Sequence, residues 1–196
     1  MKFIQPLNAS VPLSAPLEQQ ARDVFYYQPA WLNLISQVYG YAVNTLTTTD
    51  TNGEISGFLP VCTMRSPITG NRMVALPFSD HCPLLAENRA SAQQLVDQAL
   101  RLADEQRARY LELRTGTHPM LAERTDLVES SLYVRWLLPL QSDQDVVWAG
   151  LSKSVKQMIK KSQKMGVTVR RIEKREEMAY YYRLQLQTRS KKHGMP

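Results

Sequence analysis

The chain has 196 residues, 43% hydrophobic and 21% charged, with a formal net charge of +6, which suits a folded globular protein of one full domain plus part of another. No run approaches the ~18 apolar residues of a membrane span, and MKFIQPLNAS lacks the apolar core of a signal peptide. Two cysteines outside any CxxC spacing and three scattered histidines argue against a metal site and fit a reducing cytoplasm.

Residues 1–16 are punctuated by proline and read as an extended segment. Helical spacing begins at Leu17 and runs to Tyr39, with Trp31, Leu32, Ile35, Val38 and Tyr39 on one face. Pro29 opens the second of two helices as a first-turn residue, and Gly40 is its stop. Strand-like runs at Tyr41–Thr49 and Glu54–Met64 flank Asp50-Thr-Asn-Gly53, where Asn52 and Gly53 are expected to supply positive φ. A third strand, Asn71–Leu76, leads into the loop Pro77-Phe-Ser-Asp-His-Cys-Pro83.

Ser91 with Gln94 reads as a capping box opening a helix to about Arg107. Strands follow at Tyr110–Arg114 and Ser131–Leu140, and Ser142 with Asp145 caps a short helix through Trp148. The order helix, three strands, helix, two strands predicts an α/β (α+β) fold on a mixed, mostly antiparallel sheet flanked by helices, spanning 17–150. From 151 to 196 the pattern is a basic helix from Lys153 to Met165, a strand at Val167–Ile172 and a helix from Glu173 to about Ser190.

Charge divides sharply along the chain. Residues 151–196 hold 13 Lys/Arg against three acids, whereas the first 150 hold 11 against 15. Such asymmetry points to an anionic partner at one end. Lys153, Lys156, Lys160 and Lys164 recur at steps of three and four, forming one helix face opposite Leu151, Val155, Met158 and Ile159. That stripe suits the phosphates of a nucleic acid or of anionic lipid; the competing reading is a solvated face.

Ser79-Asp80-His81 places a carboxylate beside an imidazole at a strand end, although Ser79 and Asp80 equally suit loop capping. Arg114 is placed to clamp a carboxylate or phosphate bidentately, or to pair with Glu112. Thr188 and Arg189 suggest an anion site at a helix end, where basic residues are also favoured by the helix dipole. Cys62 and Cys82 read as packing residues.

The sequence contains no GxGxxG, GxxxxGK[ST], GxSxG or HExxH motif. Glu87-Asn-Arg-Ala90, before the helix that follows the third strand, has no glycine to cradle a pyrophosphate, which disfavours an acyl-CoA site. No catalytic residue and no cofactor is assigned.

Several segments taken in order resemble the FemAB family of aminoacyltransferases, built from two acetyltransferase-like (GNAT) halves. They are Gln28-Pro-Ala-Trp-Leu32, Val38-Tyr-Gly40, Gly53-Glu-Ile-Ser-Gly-Phe-Leu-Pro60, Ala75-Leu-Pro-Phe-Ser-Asp80 and Leu111-Glu-Leu-Arg114. Leu151-Ser-Lys-Ser-Val-Lys-Gln-Met-Ile-Lys-Lys161, Gly166-Val-Thr-Val169, Tyr181-Tyr-Arg-Leu184, Thr188-Arg189 and Gly194-Met-Pro196 continue the series. Leu76-Pro-Phe-Ser-Asp80 most resembles the exopolysaccharide- and exosortase-associated branch.

The resemblance implies one GNAT-like unit followed by the start of a second, truncated one. It also implies transfer of an aminoacyl or other acyl group to an amine of a peptidoglycan precursor or cell-envelope glycoconjugate. The implied partners are an aminoacyl-tRNA or other acyl donor and a nucleotide-sugar or lipid-linked glycopeptide acceptor. Ser79, Asp80, Arg114, Thr188 and Arg189 are the implied substrate contacts, and Lys153, Lys156, Lys160 and Lys164 the polyanion contacts. A cytoplasmic location with peripheral contact on the inner membrane face is expected, as is a homodimer through the incomplete second unit. The alternative is a non-catalytic module whose basic tail grips tRNA, nucleotide-sugar or anionic lipid.

Overall fold

The computed structural model describes residues 13–68, 70–116, 118–130 and 134–194. The chain falls into two units, 1–135 and 136–196, whereas the sequence pattern suggests a boundary near 150.

In the first unit, α1 (Ala15–Arg22) and α2 (Pro29–Tyr39) are separated by a single 3₁₀ turn at Phe25–Tyr27. Pro29 takes the first helical position, where its missing N–H costs nothing, and Gly40 ends α2 at φ 66°. The hairpin pairs β1 (Ala42–Thr49) with β2 (Ile55–Met64). Its turn is held by Asp50, whose Oδ1 accepts from the amides of Asn52 (2.9 Å) and Glu54 (2.8 Å). Only Gly53 takes positive φ; the Asp50 carboxylate provides the local hydrogen bonds without a left-handed Asn52.

The second edge of β2 is shared. β3 (Arg72–Val74) pairs with Cys62–Met64, while β4 (Leu85–Ala86) pairs with Gly57 and Phe58. Pro60, which has no N–H to offer, falls in the gap between these ladders. β4 is too short to leave a periodic signal in the sequence. β5 (Leu111–Glu112) returns parallel to β3 after α3 (Arg89–Glu105), giving the mixed, mostly antiparallel order β1-β2-β3-β5.

Helices cover both sheet faces, so β2 is buried along nearly its whole length rather than alternating. Leu17, Tyr27, Leu32 and Ile35 pack on Phe58 and Cys62. On the other face Ala92, Leu95, Val96 and Ala99 pack on Leu59, Val61 and Met73. Gly57 permits the close approach of α3: a Cβ there would lie 2.4 Å from Thr48 Oγ1 and 3.0 Å from Leu95 Cδ1. The cap of α3 is Asn88, which accepts from the Ser91 amide at 2.9 Å, three residues before the start read from the sequence. Ser91 is instead buried, its hydroxyl bonded to Ser56 and Ser56 to Thr48.

The second unit contains α4 (Gln144–Gly150), α5 (Lys153–Lys164), a 3₁₀ turn at Arg175–Glu177, α6 (Met178–Leu186) and a widened helical turn at Gln187–Lys192. Asp143, one residue past the expected Ser142, caps α4 through the Asp145 amide. Ser152 caps α5, and Gly166 at φ 76° follows its end. None of the helices in this unit buries a residue completely.

Two expected strands do not form among the described residues. Residues 131–133 of the Ser131–Leu140 expectation lie outside the described residues; 134–140 has no strand assignment, and Trp136 is 91% exposed. Val167–Ile172 likewise runs without ladder bonds, Val169 being 96% exposed. The residue types favour strands, but β structure needs a partner, and among the described residues neither segment has one.

Candidate active-site groove

The register of β2, β3 and β5 aligns one set of side chains. Cys62 faces Val74, Met64 faces Arg72, and Val74 faces Glu112. With the period-2 alternation of strands, Arg72, Val74, Tyr110, Glu112 and Arg114 therefore share the face on which α1 and α2 cover β1 and β2. Beyond those helices the face opens as a groove of about 320 Å³, bordered also by Tyr41, Pro77 and Phe78.

Arg114 organises the groove floor. Its Nε donates to Glu112 Oε1 at 2.7 Å, and its Nη1 donates to the carbonyls of Leu76 (3.3 Å) and Ser79 (2.9 Å). Its own carbonyl accepts from the Cys82 amide at 2.9 Å. The β3–β5 pairing ends where Ala75 donates to Glu112, so the guanidinium bridges the strand ends to the 77–83 loop. The pairing with Glu112 is the reading of Arg114 seen here, and its remaining bonds go to backbone oxygens rather than to a second anion.

Ser79 is buried, and its hydroxyl is committed. It accepts from Trp31 Nε1 at 3.0 Å and donates to the Pro77 carbonyl at 3.3 Å. Asp80 is exposed beside it and accepts from the Tyr26 hydroxyl at 3.3 Å. Burial holds the His81 imidazole below its usual pKa, with Arg135 adding in the same direction and a hydrogen bond to the Arg114 backbone opposing. Ser79, Asp80 and Arg114 therefore meet at one loop.

Phe78 sits at φ 60°, a left-handed conformation rarely taken by a bulky side chain, and is half exposed. Its ring stacks on Tyr39 at 4.3 Å, and Tyr39 stacks on Tyr41 at 5.7 Å. The sequence reading did not single out Arg72, Tyr41, Phe78 or Tyr110 as site residues. A usable signal was present: Tyr110-Leu-Glu-Leu-Arg114 alternates in a way that puts its three polar residues on one face.

The amino end of α3 offers no phosphate cradle. Asn88 caps it, Glu87 precedes it, and Arg89 is engaged by Glu123 at 2.5 Å. Among the described residues no group of three or more His, Cys, Asp and Glu side chains is placed to hold a metal ion.

In the second unit, Lys153, Lys156, Lys160 and Lys164 line one side of α5. Lys156 Nζ donates to the Ala149 carbonyl at 2.9 Å, while the other three are exposed. Val155, Met158 and Ile159 take the opposite side, Met158 being 72% exposed. Thr188 Oγ1 donates back to the Leu184 carbonyl at 3.0 Å, and Arg189 is exposed in the widened turn. No helix among the described residues is long and apolar enough to cross a membrane.

Residues 114–195 match the model of the FemAB family, a stretch that begins at the groove's Arg114 and includes α5 and α6. The match supports an acyltransferase in the general sense of acyl or aminoacyl transfer. Among solved structures, a ribosomal-protein-alanine N-acetyltransferase from Brucella melitensis biovar Abortus 2308 is similar at 19% identity and a TM-score of 0.38, over 64% of this chain and 90% of that one. No curated protein matches the chain.

Proposed function

We propose that this chain is part of a FemAB-type transferase that forms an amide on an amine of a peptidoglycan precursor or cell-envelope glycoconjugate. The observation that carries this is the FemAB match over 114–195, the stretch that holds the lysine side of α5. In this reading residues 17–150 are the GNAT-like half and 151–196 begin the second. The donor is an aminoacyl-tRNA or another polyanionic acyl carrier, gripped by Lys153, Lys156, Lys160 and Lys164, and not acyl-CoA. The capped, acid-preceded start of α3 supports the latter point.

Amide formation from an ester needs a deprotonated amine held against the carbonyl, and positioning alone contributes a large share of such a rate. Ser79, Asp80 and Arg114 shape the loop beside which the acceptor lies. Work at the inner membrane face from the cytoplasm suits a lipid-linked acceptor. Homodimerisation through 151–196, whose apolar residues are largely exposed, belongs to the same reading and is tested by sedimentation across concentrations.

The reaction itself is tested by supplying tRNA charged with labelled amino acids together with an amine-ended muropeptide. The expected product is an acid-stable amide bearing the label. Salt-dependent tRNA binding without any amide would favour the non-catalytic binding module instead.

A further inference from the structure

We infer that the free edge of β1 is a self-association surface, on which a second copy of this chain adds its own β1 antiparallel across a two-fold axis centred on Thr45. The inference concerns the first unit alone. It is independent of acyl transfer and of any pairing through 151–196.

The ladder shows which backbone groups are open. Thr45 stands opposite Pro60, which has no N–H to donate, so this pair exchanges no bonds. Bonded and non-bonded pairs alternate along an antiparallel ladder. The N–H and C=O groups of Asn44 and Leu46 therefore turn to β2, and those of Val43, Thr45 and Thr47 turn away from it. A second observation agrees: the Thr47 carbonyl accepts from Gln98 Nε2 of α3 at 3.1 Å, outside the ladder. Among the described residues that is the only bond on this outward row, because β1 ends the strand order and pairs with β2 alone.

Edge strands in folded proteins are usually guarded by charges, proline or a bulge. β1 has neither charge nor proline, and its register shift falls at Thr48/Thr49, leaving 42–48 regular. The neutrality extends further. No Asp, Glu, Lys, Arg or His occurs between Asp23 and Asp50, in a chain that is 21% charged. The same stretch includes α2, which leaves Leu34 and Val38, one turn apart, exposed, and it includes Phe25 at 64% exposure. Depletion of charge together with exposed aromatic and aliphatic side chains is the composition of an interface core.

Charge also selects the occupant. A two-fold contact sets a surface against itself, so a charge near the axis meets its own copy, and a neutral strand escapes that repulsion. The register is self-complementary as well. Pairing Thr45 with the second copy's Thr45 sets Val43 against Thr47 and Thr47 against Val43, so every outward group meets an outward group. The Thr47 carbonyl keeps a second lone pair beside the one given to Gln98. Threonine and valine are residues that favour cross-strand pairs of this kind.

The test is sedimentation equilibrium of the full chain over a range of concentrations, with amide hydrogen exchange followed residue by residue on the same samples. Wild type is expected to show a monomer–dimer equilibrium. At low concentration the Val43, Thr45 and Thr47 amides should exchange fast, while those of Asn44 and Leu46, bonded to β2, stay protected. Raising the concentration should protect the first three. Thr45→Pro removes an outward N–H and spares the β1–β2 ladder, so little change in melting temperature is expected. Two bonds are lost across the axis, which should weaken the dimer by about tenfold or more. Thr45→Val keeps the backbone donor and should dimerise as wild type. The inference is overturned if the mass stays monomeric at every concentration, or if a folded Thr45→Pro associates as tightly as wild type. It is also overturned if concentration-dependent protection appears in 151–196 and not in 42–48. Should Thr45→Pro fail to fold, the alternating protection of the wild-type amides decides alone.

Discussion

Replacing Arg114 by methionine tests how the 77–83 loop is held. Methionine keeps much of the apolar stem and removes the head group. Three acceptors then lose a donor: Glu112 Oε1 and the carbonyls of Leu76 and Ser79. The Glu112 pair is about a third exposed on both sides, with side chains at 31% and 39%, so solvent screening limits it to roughly 0.5–1 kcal/mol. The Ser79 contact at 2.9 Å involves a charged donor and contributes about 1.5 kcal/mol, while the longer Leu76 contact contributes about half of that. The expected loss is therefore about 3 kcal/mol. For a unit of this size that lowers the melting temperature by roughly 8–12 °C. Thermal unfolding followed by near-ultraviolet circular dichroism measures it. Loosening the loop should also alter the emission of Trp31, whose indole N–H reaches Ser79. A loss under about 1 kcal/mol with unchanged emission would refute the view that this guanidinium fixes the loop.

Three further outcomes follow from the structure. Gly57→Ala should destabilise by about 1–3 kcal/mol in denaturant unfolding, because the new Cβ would sit 2.4 Å from Thr48 Oγ1; a neutral result would mean that α3 is not seated closely on β2. Hydrogen bonding from Arg170, then from the Glu173 and Lys174 amides, pulls the Glu177 carboxyl from 4.5 to about 2. Its support for the start of α6 is thus complete above the ordinary carboxylate range and lost as pH falls through about 2. An NMR titration should place the midpoint there in wild type and higher in Arg170→Gln, and a wild-type midpoint near 4.5 would contradict the arrangement. Burial pushes both Cys62 and Cys82 thiols up to about 12, leaving a thiolate fraction on the order of 10⁻⁴ at pH 8. Iodoacetamide should therefore modify neither in the native protein and both in denaturant, and rapid native alkylation of either would place it outside the core.

Much of the first unit was legible in the sequence because its signals are local. Pro29, Gly40 and Asp50-Thr-Asn-Gly53 mark ends and turns through backbone constraints that need no tertiary partner. The cap of α3 was misread because Ser91 and Asn88 are both capping residues, and burial decided between them: Ser91 was drawn into the Thr48–Ser56 network. Strands were the weaker readings, since pairing is non-local. Leu85–Ala86 pairs without a pattern, while 134–140 and Val167–Ile172 have the pattern without a pair. The site divides along the same line. Ser79, Asp80 and Arg114 come from a conspicuous loop and strand end, whereas Arg72 and Phe78 gain meaning only from register and from a left-handed φ.

The central claim is that the acyl group arrives on a polyanion gripped by α5 and not on coenzyme A. Equilibrium binding of aminoacyl-tRNA at a series of salt concentrations, set beside calorimetric titration of acetyl-CoA, tests it most directly. The account predicts a steep salt dependence for tRNA whose slope falls by about 2 in Lys153→Glu/Lys160→Glu, and no saturable heat from acetyl-CoA. An unchanged slope in the double variant, or a micromolar acetyl-CoA isotherm, would contradict it.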